Sequence, residues 1–217
     1  TTEMNRRRFV ACFSTLGLGS TLMPGALAAV AQDESTITAD MIEAAEKEGK
    51  IEPGGTIIEA TAGNTGLGLG LVAAQKGYHL ILAIPDKMSP DKIRHIRAMG
   101  VDVRLTRSDV QKGHPEYYQD LGKSIADEQG AYFINQFGNM DNPLAHEQTT
   151  TPEILEQMDG DVDAIVLGVG SSGTVTGMCK YLNENAPDVE LILADPVGSI
   201  LAEYINTEIG RASCRER

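Results

Sequence analysis

Cysteine is scarce in this chain, and the three that occur stand far apart. Cys12, Cys179 and Cys214 form no CxxC or paired spacing, so the sequence predicts neither a disulfide framework nor a zinc site. The four histidines are scattered as well and lack the spacing of metal ligands. This favours ordinary surface or core positions for them, and we expect no bound metal.

Basic residues are also few relative to acidic ones. The 217 residues include 18 lysines and arginines against 31 aspartates and glutamates, which gives a formal net charge of −13. Nucleic acids and anionic lipid surfaces attract basic proteins, so we expect neither nucleic acid nor a membrane as a partner. Apolar residues make up 41% of the chain, which is typical of a globular protein with one core or two small domains.

The two ends of the chain differ in character from the body between them. Arg6–Arg8 precede an apolar, glycine-rich stretch and then small residues at 26–31. Residues 1–31 therefore resemble a twin-arginine export signal, which predicts export to the periplasm if the leader is genuine. Residues 208–217 resemble translated sequencing-adapter DNA and are predicted to be an artefactual tail.

Strand-like and helix-like segments alternate along the body. Apolar runs rich in β-branched residues predict strands, and capped segments of helix formers predict helices. This alternation is typical of an α/β protein with a parallel sheet. The predicted strands cover 56–60, 79–85, 101–106, 131–134, 163–168 and 189–194. The predicted helices cover 65–76, 115–129, 147–158 and 173–184, and two further helices begin near 38 and 89 and end before Gly49 and Gly100.

The first informative turn follows the strand at 56–60. Residues 61–66 read TAGNTG, and a helix of small residues comes next. Glycines let backbone N–H groups approach a ligand closely, and a helix N-terminus favours an anion. Asn64 and the neighbouring threonines add side-chain donors. The turn is therefore predicted to hold a small anionic molecule.

A second turn of the same kind lies at 168–174. A strand that ends at Leu167 runs into GVGSSGT and then into a helix, which predicts a phosphate cradle of N–H groups and hydroxyls. Gly168, Gly170 and Gly173 also fit the G-x-G-x-x-G pattern of dinucleotide-binding folds, with Asp195 at a suitable distance for a ribose. A dinucleotide-dependent oxidoreductase and a noncatalytic module that binds an amino acid or phosphate both stay open at this point.

Three segments taken together resemble one enzyme family. EATAGNTGLGLG, NQFGNMDNPLAH and GVGSSGTVTG, in this order and spacing, are similar to the cysteine synthase and cystathionine β-synthase family. The resemblance covers about residues 41–202 and includes MIEAAEKEGKI, IPDKMS and ADPVGS. It implies an α/β fold, namely the three-layer, parallel-sheet fold of the tryptophan synthase β type, which would be incomplete in this chain. It also implies pyridoxal 5′-phosphate as the cofactor. It also implies a small amino-acid substrate, a cytoplasmic location and a homodimer for the intact family.

The resemblance implies two sets of site residues. Asn64 would hydrogen-bond the 3′-hydroxyl of the cofactor, and residues of the phosphate loop (168–174) would bind its phosphate, namely Gly170, Ser171, Ser172, Gly173 and Thr174. The carboxylate of the amino-acid substrate would be bound by residues of the substrate loop (61–65) and by one distant glutamine, namely Thr61, Ala62, Gly63, Thr65 and Gln136. Ser172 stands where the family usually has glycine, which predicts a tighter cradle or a lower affinity.

One residue that the family requires is missing. Its Schiff-base lysine lies in a Ser-x-Lys-x-Arg segment directly before the MIEAAE helix, whereas residues 32–40 contain no lysine. That lysine is nucleophile and general base, so we expect the chain as written to be inactive. The family reaction would be β-replacement on O-acetylserine or serine, giving cysteine from sulfide or cystathionine from homocysteine.

The predicted parts of the chain are a leader (1–31), a linker helix (32–55), a small mobile domain (56–107), a partial large domain (108–207) and the tail (208–217).

Overall fold

Strands and helices alternate along the residues that this computed structural model describes, which are 10–11, 38–61, 63–199 and 201. The strands are β1 (Val10–Ala11), β2 (Thr56–Ala60), β3 (His79–Pro85), β4 (Asp102–Thr106), β5 (Tyr132–Phe133), β6 (Ala164–Leu167) and β7 (Glu190–Leu193). The α-helices are α1 (38–47), α2 (Thr65–Lys76), α3 (Pro90–Ala98), α4 (Tyr118–Gln129), α5 (Asp141–Ala145), α6 (Thr151–Gln157) and α7 (Gly173–Asn185), and a π-helix covers His146–Thr150.

The contacts divide the chain into two compact units. The N-terminal unit contains the described residues from 38 to Ala145, and the C-terminal unit contains β1 and the described residues from His146 onward. Residues 108–145 therefore share a unit with the segment that we predict to be the small mobile domain. The division into a small and a large functional domain stays a prediction.

The N-terminal unit is built around a parallel sheet with strand order β4-β3-β2-β5. On one face Ile57 and Leu82 join the apolar core formed with α1, α2 and α3. On the other face Ile58 and Ile81 pack against Ala126 of α4. Both faces of the central strands are buried, as parallel sheets require. The sheet thus lies between two helical layers, which confirms the predicted α/β architecture.

The C-terminal unit contains a second parallel sheet, with strand order β1-β6-β7. Ile165 and Leu167 of β6 pack with Met178 and Leu182 of α7. Val10 and Ala11 pair in parallel with β6, although both belong to the segment that we predict to be a leader. The role of residues 1–31 as a leader stays a prediction.

One predicted helix is wrong in detail. We expected a continuous α-helix over 147–158, whereas a π-helix covers His146–Thr150 and α6 begins at Thr151. Pro152 lies in the first turn of α6. Proline has no N–H and its ring collides with the carbonyl four residues earlier, so a regular α-helical ladder cannot continue through this point. The wider π-helical turn absorbs the break.

Two other predicted elements are shorter than expected. The strand expected at 131–134 is reduced to Tyr132–Phe133, and the helix expected from 115 begins at Tyr118. The remaining strands and helices lie within two residues of the predicted bounds at most of their ends. Among the described residues, no helix combines the length and apolarity needed to cross a bilayer.

Candidate functional site

The substrate loop lies where β2 ends and α2 begins. β2 pairs with β5, so the residues that follow β5 reach the same edge of the sheet. This adjacency brings together two of the predicted substrate residues: the Thr65 hydroxyl donates to Gln136 Oε1 at 2.8 Å. Gln136 Nε2 in turn donates to the Ala60 carbonyl at 3.2 Å. Gln136 is buried, with 8% of its surface exposed.

Asn64 has a defined orientation in this loop. Lys92, in the first turn of α3, donates from Nζ to Asn64 Oδ1 at 3.3 Å. Because the amide oxygen accepts this hydrogen bond, the amide presents Nδ2 as its donor. A donor is the group that a phenolic oxygen of a cofactor would need at this position. Lys92 also adds a positive charge beside a loop that is expected to bind anions.

The rest of the substrate loop is shaped by a local turn. Thr61 is 1% exposed, and its Oγ1 accepts the Gly63 N–H at 3.2 Å. A side chain added at Gly63 would meet no atom within 4 Å, so the backbone at this point is open to a ligand. Ala62 lies outside the described residues.

The phosphate loop follows β6 and ends at the N-terminus of α7. The first turn of this 13-residue helix carries no acidic residue, and Ser172 at its N-cap makes no side-chain capping hydrogen bond. The first N–H groups of a helix lack partners within the helix and carry a partial positive charge. The loop therefore offers N–H donors to an anion, and the first turn of α7 contains no carboxylate that would compete for them.

His146 fixes one hydroxyl of this loop. Its Nε2 lies 3.1 Å from Thr174 Oγ1, and its Nδ1 lies 3.0 Å from Thr150 Oγ1. Burial lowers the pKa of His146 to about 4, so the ring is neutral near pH 7, with one nitrogen as donor and the other as acceptor. The histidine thus holds Thr174 in place without adding charge to the loop.

The donors of the phosphate loop suit a phosphate ester. Backbone N–H groups at the start of α7 and the hydroxyl of Thr174 supply hydrogen bonds of the right polarity. Gly170 is exposed, and a side chain there would meet no atom within 4 Å, so the loop has free space on its outer side. The residues present therefore fit the phosphate group of the expected cofactor.

The comparison with protein families bears on one of the two alternatives that the turns left open, the dinucleotide-dependent oxidoreductase. The model of the family described as pyridoxal-phosphate dependent enzyme matches residues 28–211. The chain belongs to this family. Pyridoxal phosphate is accordingly the cofactor of its family, and the match goes against the dinucleotide-dependent oxidoreductase. The assignment of individual residues to cofactor or substrate stays a proposal.

The chain is similar to two groups of named enzymes. Cystathionine beta-synthase of Oryctolagus cuniculus is 44% identical over 168 residues, which are 77% of this chain and 30% of that protein. Cysteine synthase of Staphylococcus aureus strain Mu50 is 42% identical over 161 residues, which are 73% of this chain and 51% of that protein. The chain therefore spans about a third to a half of the length of these curated relatives.

Two solved structures share the fold. The structure of O-ureido-L-serine synthase superposes with a TM-score of 0.72 at 31% identity, covering 78% of this chain and 53% of that chain. A hydrogen sulfide-producing enzyme from Fusobacterium nucleatum superposes with a TM-score of 0.69 at 38% identity, covering 77% and 56% respectively. These matches confirm the predicted α/β fold with parallel sheets.

Three residues beside the loops carry no recognisable signal in the sequence. They are Glu59, which contacts Gln136, Lys92, which contacts Asn64, and His146, which contacts Thr174. Each pair is separated by 28 residues or more along the chain. No local spacing links such partners, so only the tertiary structure could reveal them.

Proposed function

We propose that this chain carries the cofactor-phosphate site and the substrate-carboxylate site of a β-replacement enzyme acting on O-acetylserine or serine. The observation that carries the proposal is the phosphate loop, where a parallel strand opens into an α7 N-terminus free of acidic residues. The similarity to cystathionine beta-synthase and cysteine synthase supports the reaction class. Sulfide and homocysteine both remain open as the second substrate, and a homodimer is part of the proposal.

On this proposal the phosphate loop anchors the cofactor. Gly170, Ser171, Ser172, Gly173 and Thr174 would bind the phosphate through N–H groups and hydroxyls, while Asn64 Nδ2 would donate to the 3′-hydroxyl. When bound, pyridoxal phosphate supplies the electron sink for loss and replacement of a β-substituent. The residues of this chain would bind and orient it.

The substrate loop would bind the amino acid through its carboxylate. Thr61, Ala62, Gly63 and Thr65 would surround that group, and Gln136 would supply a further donor. The hydrogen bond between Thr65 and Gln136 fixes both side chains before a ligand arrives. Side chains held in advance lose less conformational entropy on binding than mobile ones.

A charge placed at the start of α7 tests the phosphate site. Gly173→Asp adds a carboxylate and a Cβ at a buried position of the loop, so it should repel the phosphate and block the approach of the backbone. Asn183→Asp adds the same charge at an exposed position near the other end of α7 and serves as the matched control. Titration with pyridoxal phosphate should show binding at least about tenfold weaker than that of the wild type for Gly173→Asp, and wild-type binding for Asn183→Asp.

The same titration examines whether the cofactor becomes covalently attached. No lysine precedes Lys47, and Lys47 lies on the exposed side of α1, so we expect reversible binding and no turnover by the chain as written. After gel filtration and borohydride reduction, mass spectrometry should find no single labelled lysine. Equal affinity of Gly173→Asp and the wild type would show that the phosphate is held elsewhere. One stoichiometrically labelled lysine would contradict reversible binding.

A further inference from the structure

A buried carboxylate without an assigned role lies next to the substrate loop. Glu59 is the penultimate residue of β2, and none of its surface is exposed. Carboxylates are rarely buried unless they are paired or fully hydrogen-bonded, because the loss of hydration costs several kcal/mol. The partners of Glu59 therefore indicate what it does.

The carboxylate is held by N–H groups from two neighbouring segments of the sheet edge. Glu59 Oε1 accepts the Ala60 N–H at 2.7 Å, and Oε2 accepts the Gln136 N–H at 3.1 Å. The backbone of Asn135 and the side chain of Gln136 add further hydrogen bonds. Glu59 thus joins the end of β2 to the turn that follows β5.

That turn has a tight, defined backbone conformation. Asn135 has a φ of 55°, which is in the left-handed region, where glycine and asparagine are the residues found most often. The Asn135 carbonyl accepts the N–H groups of Gly138 and Asn139 at 2.8 and 2.9 Å, so the chain reverses tightly here. The hydrogen bonds from Asn135 and Gln136 to Glu59 fix the start of this turn.

Gln136 transmits this support to the substrate loop. Its backbone is held by Glu59, and its carbonyl accepts from Asn142 Nδ2 at 3.0 Å. Its side chain then reaches across to the Ala60 carbonyl and the Thr65 hydroxyl. The series of hydrogen bonds runs from Glu59 to Gln136 and from Gln136 to Thr65.

We infer that Glu59 is a positioning residue, which fixes Gln136 and through it Thr65 in the orientation that receives the substrate's carboxylate. The inference rests on the proposed function only in taking these two side chains as substrate contacts. Glu59 itself has no exposed surface, so it would act only through Gln136 and Thr65. Its effect would be to hold two polar side chains in fixed positions at a site where the ligand is small and anionic.

The test combines amide hydrogen exchange with binding of L-serine in the presence of saturating pyridoxal phosphate. Glu59→Gln replaces one acceptor oxygen by an NH₂ group that opposes the N–H donors. The amides of Asn135 and Gln136 should then exchange at least about tenfold faster, and L-serine should bind about tenfold or more weakly. Binding of inorganic phosphate at the phosphate loop should not change, because that loop belongs to the other unit.

Gln136→Met provides the matched control. It removes the side-chain amide but keeps the backbone N–H that donates to Glu59. L-Serine binding should weaken as in Glu59→Gln, while the amide of residue 136 should stay slow to exchange. This difference separates support of the backbone by Glu59 from direct contact by the Gln136 side chain.

Several outcomes would overturn the inference. The first is a Gln136 amide that exchanges rapidly in the wild type. The second is a Glu59→Gln variant whose amide exchange and L-serine affinity both equal those of the wild type. If Glu59→Gln does not fold, Glu59→Asp replaces it, since the shorter side chain keeps the charge and loses reach to Gln136. Wild-type exchange in Glu59→Asp would then be the contradicting result. Faster exchange in the variant combined with no L-serine binding by the wild type would instead refute the proposed function and leave the positioning role standing.

Discussion

Ser172 is the residue at which the phosphate loop departs furthest from ordinary backbone geometry. Its φ of 72° and ψ of −3° lie in the left-handed region. A residue with a Cβ loses roughly 1–2 kcal/mol of conformational free energy there, whereas glycine adopts the region without a steric penalty. In the family that the sequence resembles, glycine is usual at this position. The conformation supplies the physical reason for that preference.

Replacing Ser172 by glycine should therefore stabilise the C-terminal unit. Relief of the strained φ outweighs the greater freedom of glycine in the unfolded chain, and we expect a gain of up to about 1 kcal/mol. Ser124→Gly makes the same chemical change at an exposed position inside α4, where it should cost about 0.5–1 kcal/mol. Urea unfolding monitored separately for each unit would measure both values. If Ser172→Gly lowered the free energy of unfolding as Ser124→Gly does, the φ of Ser172 would carry no strain.

Residue roles could be predicted only as far as local pattern and resemblance reach. Thr61, Asn64 and Thr65 occur in one short turn, and the resemblance implied Gln136 as a further substrate residue. The structure then showed that β2 and β5 are neighbours, which explains why Gln136 reaches Thr65. The roles of Glu59 and His146 depend on contacts across long stretches of chain, and no periodicity in the sequence predicts such contacts.

At the scale of the element, two glycines of α2 face different neighbours. A Cβ at Gly66 would lie 2.8 Å from Thr61 Cγ2 and 3.0 Å from Leu82 Cδ1. A Cβ at Gly70 would lie 2.6 Å from Met99 Cε, the far end of a flexible side chain. The first contact involves a residue of the substrate loop itself. The second can be relieved by rotation of the methionine.

Gly66→Ala should therefore destabilise the protein, whereas Gly70→Ala should not. Overpacking at Gly66 is expected to cost about 1–3 kcal/mol and to displace Thr61. Alanine at Gly70 should be neutral or stabilising by up to about 1 kcal/mol, because it favours the helix and Met99 can move. Thermal unfolding and the amide shifts of residues 61–65 would report both effects. Similar losses in the two variants would argue against the close contact at Thr61.

Elements with strong local signals were predicted well, and those set by tertiary contacts were not. β2, α2 and β3 have the predicted bounds, because Gly55 precedes β2, Gly77 ends α2 and Pro85 is the last residue of β3. β5 is short because only Tyr132 and Phe133 pair with β2, and pairing cannot be read from one strand. The π-helix follows from Pro152, whose presence was visible but whose effect on the preceding turn was not predicted.

At the scale of the whole molecule, each unit contains a buried ionisable residue, and the two respond to pH in opposite directions. Burial lowers the pKa of His146 in the C-terminal unit to about 4. Burial raises the pKa of Glu59 in the N-terminal unit to about 7, although its N–H hydrogen bonds oppose the shift. Tyr118 on α4, whose charge would act on Glu59, has a pKa raised to about 12 by burial and stays neutral in this range.

For His146 the unfolded chain binds the proton more tightly than the folded chain. As the pH falls from about 6.5 to about 4, the unfolded state becomes protonated first, so the free energy of unfolding decreases, by up to about 3 kcal/mol. For Glu59 the folded chain binds the proton more tightly. As the pH rises from about 4.5 to about 7, the unfolded state loses its proton first, and the free energy of unfolding again decreases by up to about 3 kcal/mol.

We therefore expect the C-terminal unit to become less stable as the pH falls from 6.5 towards 4 and the N-terminal unit to become less stable as the pH rises from 4.5 towards 7. Hydrogen exchange of the slowest amides in β6 and in β3 would report the free energy of opening of each unit separately. The measurement requires that opening and closing are at equilibrium, and each rate is corrected for the intrinsic exchange rate at that pH. His146→Gln should flatten the pH dependence in β6 alone, and Glu59→Gln should flatten that in β3 alone. Other carboxylates titrate in both proteins of each comparison, so the difference between wild type and variant isolates the single group. Parallel pH profiles for the two units, unchanged by either substitution, would mean that neither residue is held in the buried environment that shifts its pKa.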